Sequence, residues 1–373
     1  MSKRFFRKNL TKKSENKIYV ERKKTTLALN ESSISTISLL SDFEKEKILN
    51  ARIEKYPTSD FITPFLTSLK EYCKVNSEQQ ILIANGIDEL LYFLFIAINE
   101  KNAKCIVNVP TYPDYKNYGE SVGLSFIEIP LIENFDSNVE YNIDIKRLVK
   151  KGKRKDVKAI IFTNPNNPTG TLFPLADIIY VMQKLKDKLI IIDEAYIEFC
   201  LDKTMIPLLN EFENLVILRT FSKGFLSPGL RLGYLVSNEH ITSQLKKVFP
   251  VFPVSQISIE IGKLLLQNKD EISKVRQQII DNRQDIYEKL REYREKGYIS
   301  KVYKSNTNFL LFSFKAEERM KECYDFLLKN EVSVRNVSSK YLKNSLRVTA
   351  TNDKETAIFL NTINEFFNGH NNE

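Results

Sequence analysis

Apolar residues along this chain gather into short unbroken runs, not into strict alternations. Ile160-Ile161-Phe162, Leu189-Ile190-Ile191-Ile192 and Leu215-Val216-Ile217-Leu218 are examples. A strand needs this pattern when both faces of its sheet are covered, because side chains pointing either way then meet a core. The runs predict strands at 80–84, 103–109, 124–130, 157–163, 189–193, 215–220 and 232–237. Amphipathic stretches separate them, and 88–98 is apolar almost throughout, as in a buried helix. This strand–helix rhythm predicts an α/β fold with a mostly parallel, doubly wound sheet.

The pattern then changes. Residues 256–294 are helical in spacing, and the second half, 270–294, is strongly charged, which suits a helix crossing between two units. Strands are predicted at 309–314, 332–335 and 345–349, and helices at 316–330 and 353–367. The expected organisation is a basic tail (1–26), an N-terminal arm (27–57), a large domain (58–270) and a smaller α+β C-terminal domain (271–373). Residues 25–30 are expected to pack near the smaller domain.

Length and charge refine this picture. At 373 residues the chain exceeds one ordinary core, which fits two domains of unequal size. The net charge of +9 suggests nucleic acid until it is located. Residues 1–24 hold ten Lys/Arg and two acids, so the rest is nearly neutral. Such a tail reads as a solvated arm, with an acidic partner or membrane surface as the alternative. It is too short for a folded DNA-binding domain, and no nucleic-acid partner is expected. No apolar run has the length of a membrane span, and no signal-peptide core stands near Met1. A cytoplasmic protein with no membrane partner is the expectation. Cys73, Cys105, Cys200 and Cys323 are far apart and form no CxxC pair, which points to buried free thiols. With only two histidines, His240 and His370, a His-based triad or a multi-His metal site is not expected.

Three segments share one design, an apolar strand that ends abruptly in polar residues. In open α/β sheets ligands bind at the C-terminal ends of strands, so these residues should converge. The first is Ile160 to Gly170, ending Asn164-Pro165-Asn166-Asn167-Pro168-Thr169-Gly170. One Asn-Pro is an ordinary turn, but two closed by Thr-Gly ask for more. The second ends Ile192-Asp193-Glu194-Ala195-Tyr196. An acid after four buried aliphatics is costly unless it meets a cation, although a helix N-cap is the plainer reading. The third is Arg219-Thr220-Phe221-Ser222-Lys223-Gly224-Phe225, followed by Arg231. A surface turn is one reading of this loop. The other is a lysine whose amine is consumed in an imine, beside hydroxyls and an arginine suited to a phosphate dianion.

In this order and spacing the three segments resemble the fold-type I pyridoxal 5′-phosphate (PLP) enzymes of aminotransferase class I/II. The likeness is greatest to histidinol-phosphate aminotransferases, and it runs from about residue 27 to 367. It implies that Lys223 holds the cofactor as a Schiff base and moves the proton at the substrate Cα. By the same resemblance Asp193 pairs with the pyridine nitrogen. Tyr196 and Asn167 bond the ring's 3′ oxygen, and Ala195 lies against its face. Thr220, Ser222 and Arg231 would take the phosphate, with the backbone amides of Gly86, Ile87 and Asp88 at a helix N-terminus. Tyr112 matches the stacking aromatic. Tyr56 matches a tyrosine that reaches the phosphate of the neighbouring subunit, so a homodimer is implied. Without the family, plain packing would account for both tyrosines.

Substrate contacts follow from the resemblance as well. Arg347 would receive a carboxylate or part of a phosphate, Arg335 a substrate phosphate, and Asn30 belongs to a loop over the pocket. Surface salt bridges are the alternative for both arginines. After Leu29-Asn30-Glu31 the chain has Ser32-Ser33, where those enzymes usually have Asn-Pro followed by a Gly-Pro turn. The expected activity is amino transfer between glutamate, or another amino acid, and a small phosphorylated carbonyl compound. Decarboxylation of a phosphorylated amino acid is the alternative. A non-catalytic regulator would need a winged-helix domain ahead of the fold, for which residues before 27 leave no room.

Overall fold

Residues 22–134 and 140–369 are described by the computed structural model, so the basic tail lies almost wholly outside the described residues. The two-residue strand β1 (Thr25–Thr26) precedes helices α1 (Asp42–Leu49) and α2 (Ser59–Cys73). Strands and helices then alternate: β2 (Ile81–Ala84), α3 (Ile87–Ile98), β3 (Lys104–Val109), α4 (Asp114–Val122) and β4 (Ser125–Pro130). A small hairpin, β5 (Ile132–Glu133) with β6 (Tyr141–Asn142), interrupts them. The alternation resumes with α5 (Ile145–Gly152), β7 (Val157–Thr163), α6 (Leu175–Lys184), β8 (Leu189–Asp193), β9 (Leu215–Thr220) and β10 (Gly233–Ser237).

All seven strands read from the apolar runs form one sheet, in the order β2-β10-β9-β8-β7-β3-β4. Only β10 runs antiparallel to its neighbours; the other pairings are parallel. The unbroken runs are explained by what covers each face. Ile81, Ile83, Ile106, Ile160, Ile190 and Ile217 face one apolar cluster, where α2, α6 and α8 (Gln256–Gln267) pack. Leu82, Cys105, Val107, Ile161, Ile191 and Val216 face another, supplied by α3 and α4.

The remaining elements are α7 (Glu239–Leu245), α9 (Lys269–Glu295), β11 (Lys301–Val302), β12 (Phe309–Ser313), α10 (Glu317–Lys329), β13 (Val332–Ser333), β14 (Arg335–Asn336), β15 (Ser345–Thr349) and α11 (Asp353–Gly369). An antiparallel sheet, β11-β12-β15-β14, packs against α9 and α10. Two expectations need correction. The helical pattern at 256–294 is two helices, parted at Asn268, whose side chain donates to the Leu264 carbonyl and to Glu44. The strand expected at 332–335 is two strands in two sheets. β13 pairs in parallel with β1, and β14 pairs with β15. Thr25 and Thr26 thereby pair with β13 in a two-stranded sheet of their own, beside the C-terminal elements near which residues 25–30 were expected to pack.

Candidate active site

The C-terminal ends of β3, β7, β8 and β9 open into a cleft of about 880 Å³, closed on its far side by residues of β14 and β15. Lys223, Asp193, Tyr196, Asn167, Thr220, Ser222, Arg231, Tyr112, Ile87, Asp88, Asn30, Arg335 and Arg347 all line it. Gly86 caps α3 at its edge, with φ of +85°. Tyr56 does not line it; that ring is 73% exposed and stacks on Phe252 with centroids 4.7 Å apart.

Lys223 follows β9 because the chain must leave the sheet between two buried phenylalanines, Phe221 and Phe225. Its Nζ donates to the carbonyls of Leu29 and Asn30 at 3.0 and 3.1 Å. Burial, and then the charge of Arg347, push this amine down to about 8. The arm 27–30 is held from several sides. Arg347 donates to the Ala28 carbonyl, Asn308 to the Asn30 carbonyl, and Asn30 itself donates to the Tyr196 hydroxyl at 2.8 Å.

Asp193 ends β8 and is 4% exposed. Among the described residues it meets no protein cation within bonding distance, which leaves the cation asked for by the burial argument to a ligand. Oδ1 accepts the Ala195 amide at 2.9 Å, and Oδ2 accepts the Tyr115 hydroxyl at 2.5 Å. Desolvation pushes this carboxyl up to about 6 despite those bonds. The acid that found a protein cation is its neighbour: Glu194 pairs with the buried Arg219 at 2.9 Å.

A cradle for an anion forms where α3 begins. A Cβ on Gly86 would stand 2.9 Å from Arg231 Nη2, and one on Gly233 would meet the Gly86 backbone at 2.7 Å. Both positions therefore need glycine. Thr220 and Ser222 bond each other through their hydroxyls at 3.0 Å, beside the half-exposed Arg231. Only the amide of Asp88 was read from sequence as useful. Its carboxylate also bonds Arg231 and the Tyr112 hydroxyl, both at 3.2 Å.

Opposite this cradle lie Arg347, which is buried, and Arg335, its partner across β14 and β15. Arg347 donates to Asn167 Oδ1 at 2.6 Å, packs over Phe309, and leaves Nε buried without a partner. Neither arginine pairs with a carboxylate among the described residues, so the salt-bridge alternative does not hold there. Two such cations aimed into one cleft are costly unless an anionic ligand joins them. Sequence reasoning missed Tyr115, Thr163 and Thr111, which are linked by hydroxyl contacts of 2.8 and 2.9 Å. The signal was the spacing Thr111-Tyr112-x-x-Tyr115 after a strand, which turns two rings toward one side as α4 starts. It also missed Glu128, which bonds Lys116, Lys340 and Tyr341 across the mouth of the cleft.

The comparisons with known proteins agree with this geometry. The family model "Aminotransferase class I and II" matches residues 22–363. A histidinol-phosphate aminotransferase of Clostridium kluyveri is 31% identical over 330 residues, 87% of this chain and 89% of that protein. Among solved structures, the histidinol-phosphate aminotransferase of Clostridium acetobutylicum superposes with a TM-score of 0.80 at 25% identity, covering 92% of this chain and 99% of that one. The enzyme of that name from Sinorhizobium meliloti, in complex with pyridoxal 5′-phosphate, gives 0.79 at 21% identity and covers 92% of both chains. An L-threonine-O-3-phosphate decarboxylase from Porphyromonas gingivalis gives 0.72 at 19% identity, covering 92% and 99%. No described helix is long and apolar enough to cross a membrane. With a family match over most of its length and a curated relative above 30% identity, this chain belongs to the class I and II aminotransferases.

Proposed function

We propose that this protein is a cytoplasmic, homodimeric, PLP-dependent aminotransferase that moves an amino group between an amino acid, glutamate foremost, and a small phosphorylated carbonyl compound of the histidinol-phosphate type. The single observation that carries this reading is one cleft joining a lysine of lowered pKa, a buried aspartate and an anion cradle with two unpaired arginines. The residues fit PLP on structural grounds. A Cβ on Gly233 would strike the Gly86 backbone, so the cradle at the start of α3 is kept open, and Asp193 is a buried acid that no protein cation pairs among the described residues. When bound, PLP supplies an electron sink for the carbanion formed at the substrate Cα.

Each residue then has a task. Lys223 attaches the cofactor covalently, and its freed Nζ takes and returns the proton at the substrate Cα. The Leu29 and Asn30 carbonyls hold that nitrogen when it is free. Asp193 supplies the negative charge that a protonated ring nitrogen needs. Tyr196 and Asn167 orient the ring oxygen, and Tyr112 covers the ring. Thr220, Ser222, Arg231 and the amides of Gly86, Ile87 and Asp88 bind the phosphate at the start of α3. Tyr56 completes that site from the neighbouring subunit. Arg335 and Arg347 bind the substrate's anionic groups, and Asn30 closes the pocket over them. We assign the arm to 27–57, the large domain to 58–270 and the small domain to 271–373.

A second reading is decarboxylation of a phosphorylated amino acid, because one feature speaks against an imidazole-bearing substrate. Ser32-Ser33 stands where a histidinol-phosphate enzyme usually has Asn-Pro. Both reactions begin with an amino compound bound at the same place and differ in the Cα bond that breaks. One experiment separates them. The loaded protein is mixed with histidinol phosphate and, separately, with threonine phosphate, and two products are followed. Conversion of PLP to its amine form without carbon dioxide supports transfer. Carbon dioxide from the amino acid refutes it, and no reaction with any phosphorylated compound would refute the role of the two arginines.

A further inference from the structure

Asp193 is a buried acid of the cleft that pairs with no cation among the described residues. Its acceptors are engaged by two donors on its own side, the Ala195 amide and the Tyr115 hydroxyl. The titratable and charged groups around it are Tyr115 on α4, Asp88 on α3, Glu194 on its own strand's end, and Tyr196. Asp88 and Glu194 are acids, so both oppose ionisation of Asp193. Something must offset burial and two like charges if Asp193 is to face a cationic ring nitrogen.

The hydroxyls behind it answer this need. An ionised carboxylate only accepts hydrogen bonds, so Tyr115 must donate to it. The Tyr115 oxygen is then left to accept from Thr163, 2.8 Å away. Thr163 in turn accepts from Thr111, 2.9 Å away. The chemistry of the end group thus fixes the direction of all three hydroxyls. Thr111 lines the cleft, Thr163 is buried at the end of β7, and Tyr115 is buried on the first turn of α4. Hydrogen bonds that run head to tail polarise one another and strengthen the last donor. Burial raises the Tyr115 phenol well above its ordinary value, so it stays protonated as a donor.

We propose that Tyr115 is a positioning residue that keeps Asp193 ionised and aimed into the cleft, as the last donor of a directional hydroxyl chain Thr111–Thr163–Tyr115–Asp193. The proposal rests on the reading that PLP binds here with its ring nitrogen at Asp193.

The test uses PLP labelled with nitrogen-15 in the ring, bound to full-length protein, with the nitrogen shift recorded by NMR across pH. Wild-type protein is expected to hold a protonated ring nitrogen throughout the neutral range. Tyr115→Phe removes one hydroxyl and keeps the ring. Losing a hydrogen bond to a charged group should move the titration of the pair by about one unit or more. The nitrogen signal of Tyr115→Phe should shift toward unprotonated pyridine, and PLP should bind about tenfold or more weakly. Thr163→Val leaves Tyr115 in place, removes its donor, and should move both readouts the same way by less. It also serves if Tyr115→Phe does not fold. Nitrogen shifts and affinities equal to wild type in the folded variants would overturn the proposal. A wild-type protein that fails to take up PLP would instead overturn the cofactor reading, which keeps the two failures apart.

Discussion

At the scale of single residues, the site is governed by what burial does to charge. Lys223 is pushed down to about 8, so its amine is neutral above that pH and an ammonium below it. Asp193 is pushed up to about 6, so it is ionised above that pH. Only a neutral amine attacks the cofactor's aldehyde. Capture of PLP by the cofactor-free protein should therefore accelerate about tenfold per pH unit up to about pH 8 and then level off. Stopped-flow absorbance measures this, and a rate that is flat from pH 6 to 9 would refute the Lys223 assignment. Lys223→Ala should form no borohydride-fixed adduct at any pH. Lys223 and Asp193 were legible in the sequence because a charged residue between apolar runs is conspicuous. Tyr115 was not, since an aromatic in a turn reads as packing until its hydroxyl is seen on a carboxylate. The buried Glu194–Arg219 pair was not legible either, because side-chain direction past a strand end is not written in the local pattern.

At the scale of elements, long apolar runs announced themselves and short pieces did not. The seven strands of the large sheet were legible because each is buried on both faces. The break at Val334 was hidden because 332–335 reads as one strand, yet serves two sheet edges. That break matters, since it delivers Arg335 to the cleft. The loop after β14 returns across the mouth and is tied down by Glu128 on β4. This carboxylate takes Lys116 at 2.6 Å, Lys340 at 2.8 Å and the Tyr341 hydroxyl at 2.6 Å. Its partners pull it down to about 2 against the cost of burial. Because Lys340 is mostly exposed, solvent screens its tie, and the loop's anchoring should add little to global stability. Glu128→Ala should therefore leave the melting temperature within a few degrees of wild type. It should raise KM for a phosphorylated substrate several-fold more than it lowers kcat, by releasing the loop beside Arg335. An equal change in phosphorylated and unphosphorylated substrates would show that the loop does not position that arginine.

At the scale of the whole molecule, Tyr56 lies on an exposed apolar part of the surface, away from the cleft. Leu49, Ile53, Tyr56 and Val251 are each more than 70% exposed; Phe43 lines the same hollow as Tyr56, and Phe252 stacks on Tyr56. Scattered apolar residues on a surface are ordinary, but the exposed stacked pair Tyr56 and Phe252 makes a patch that the proposed homodimer would cover. Helix α1 belongs to it, since none of its residues is buried. Tyr56 sits in this patch and not in the cleft of its own chain, which is what a residue acting on a neighbour's phosphate requires. The consequence is sharp enough to test with mixed subunits. Lys223→Ala destroys the covalent link in one chain's own cleft. Tyr56→Phe removes a hydroxyl, costing roughly tenfold or more in PLP affinity if it bonds a phosphate. Suppose the two variants are unfolded, mixed and refolded together. If Tyr56 acts across the interface, each hybrid has one cleft carrying both lesions and one cleft carrying neither. Tight covalent loading at limiting PLP should then reappear in about half of the hybrid clefts, although neither parent shows it. If Tyr56 acts within its own chain, every hybrid cleft carries one lesion and no tight loading returns. Recovery without any dimer by light scattering, or no recovery in a proven dimer, would refute the shared site.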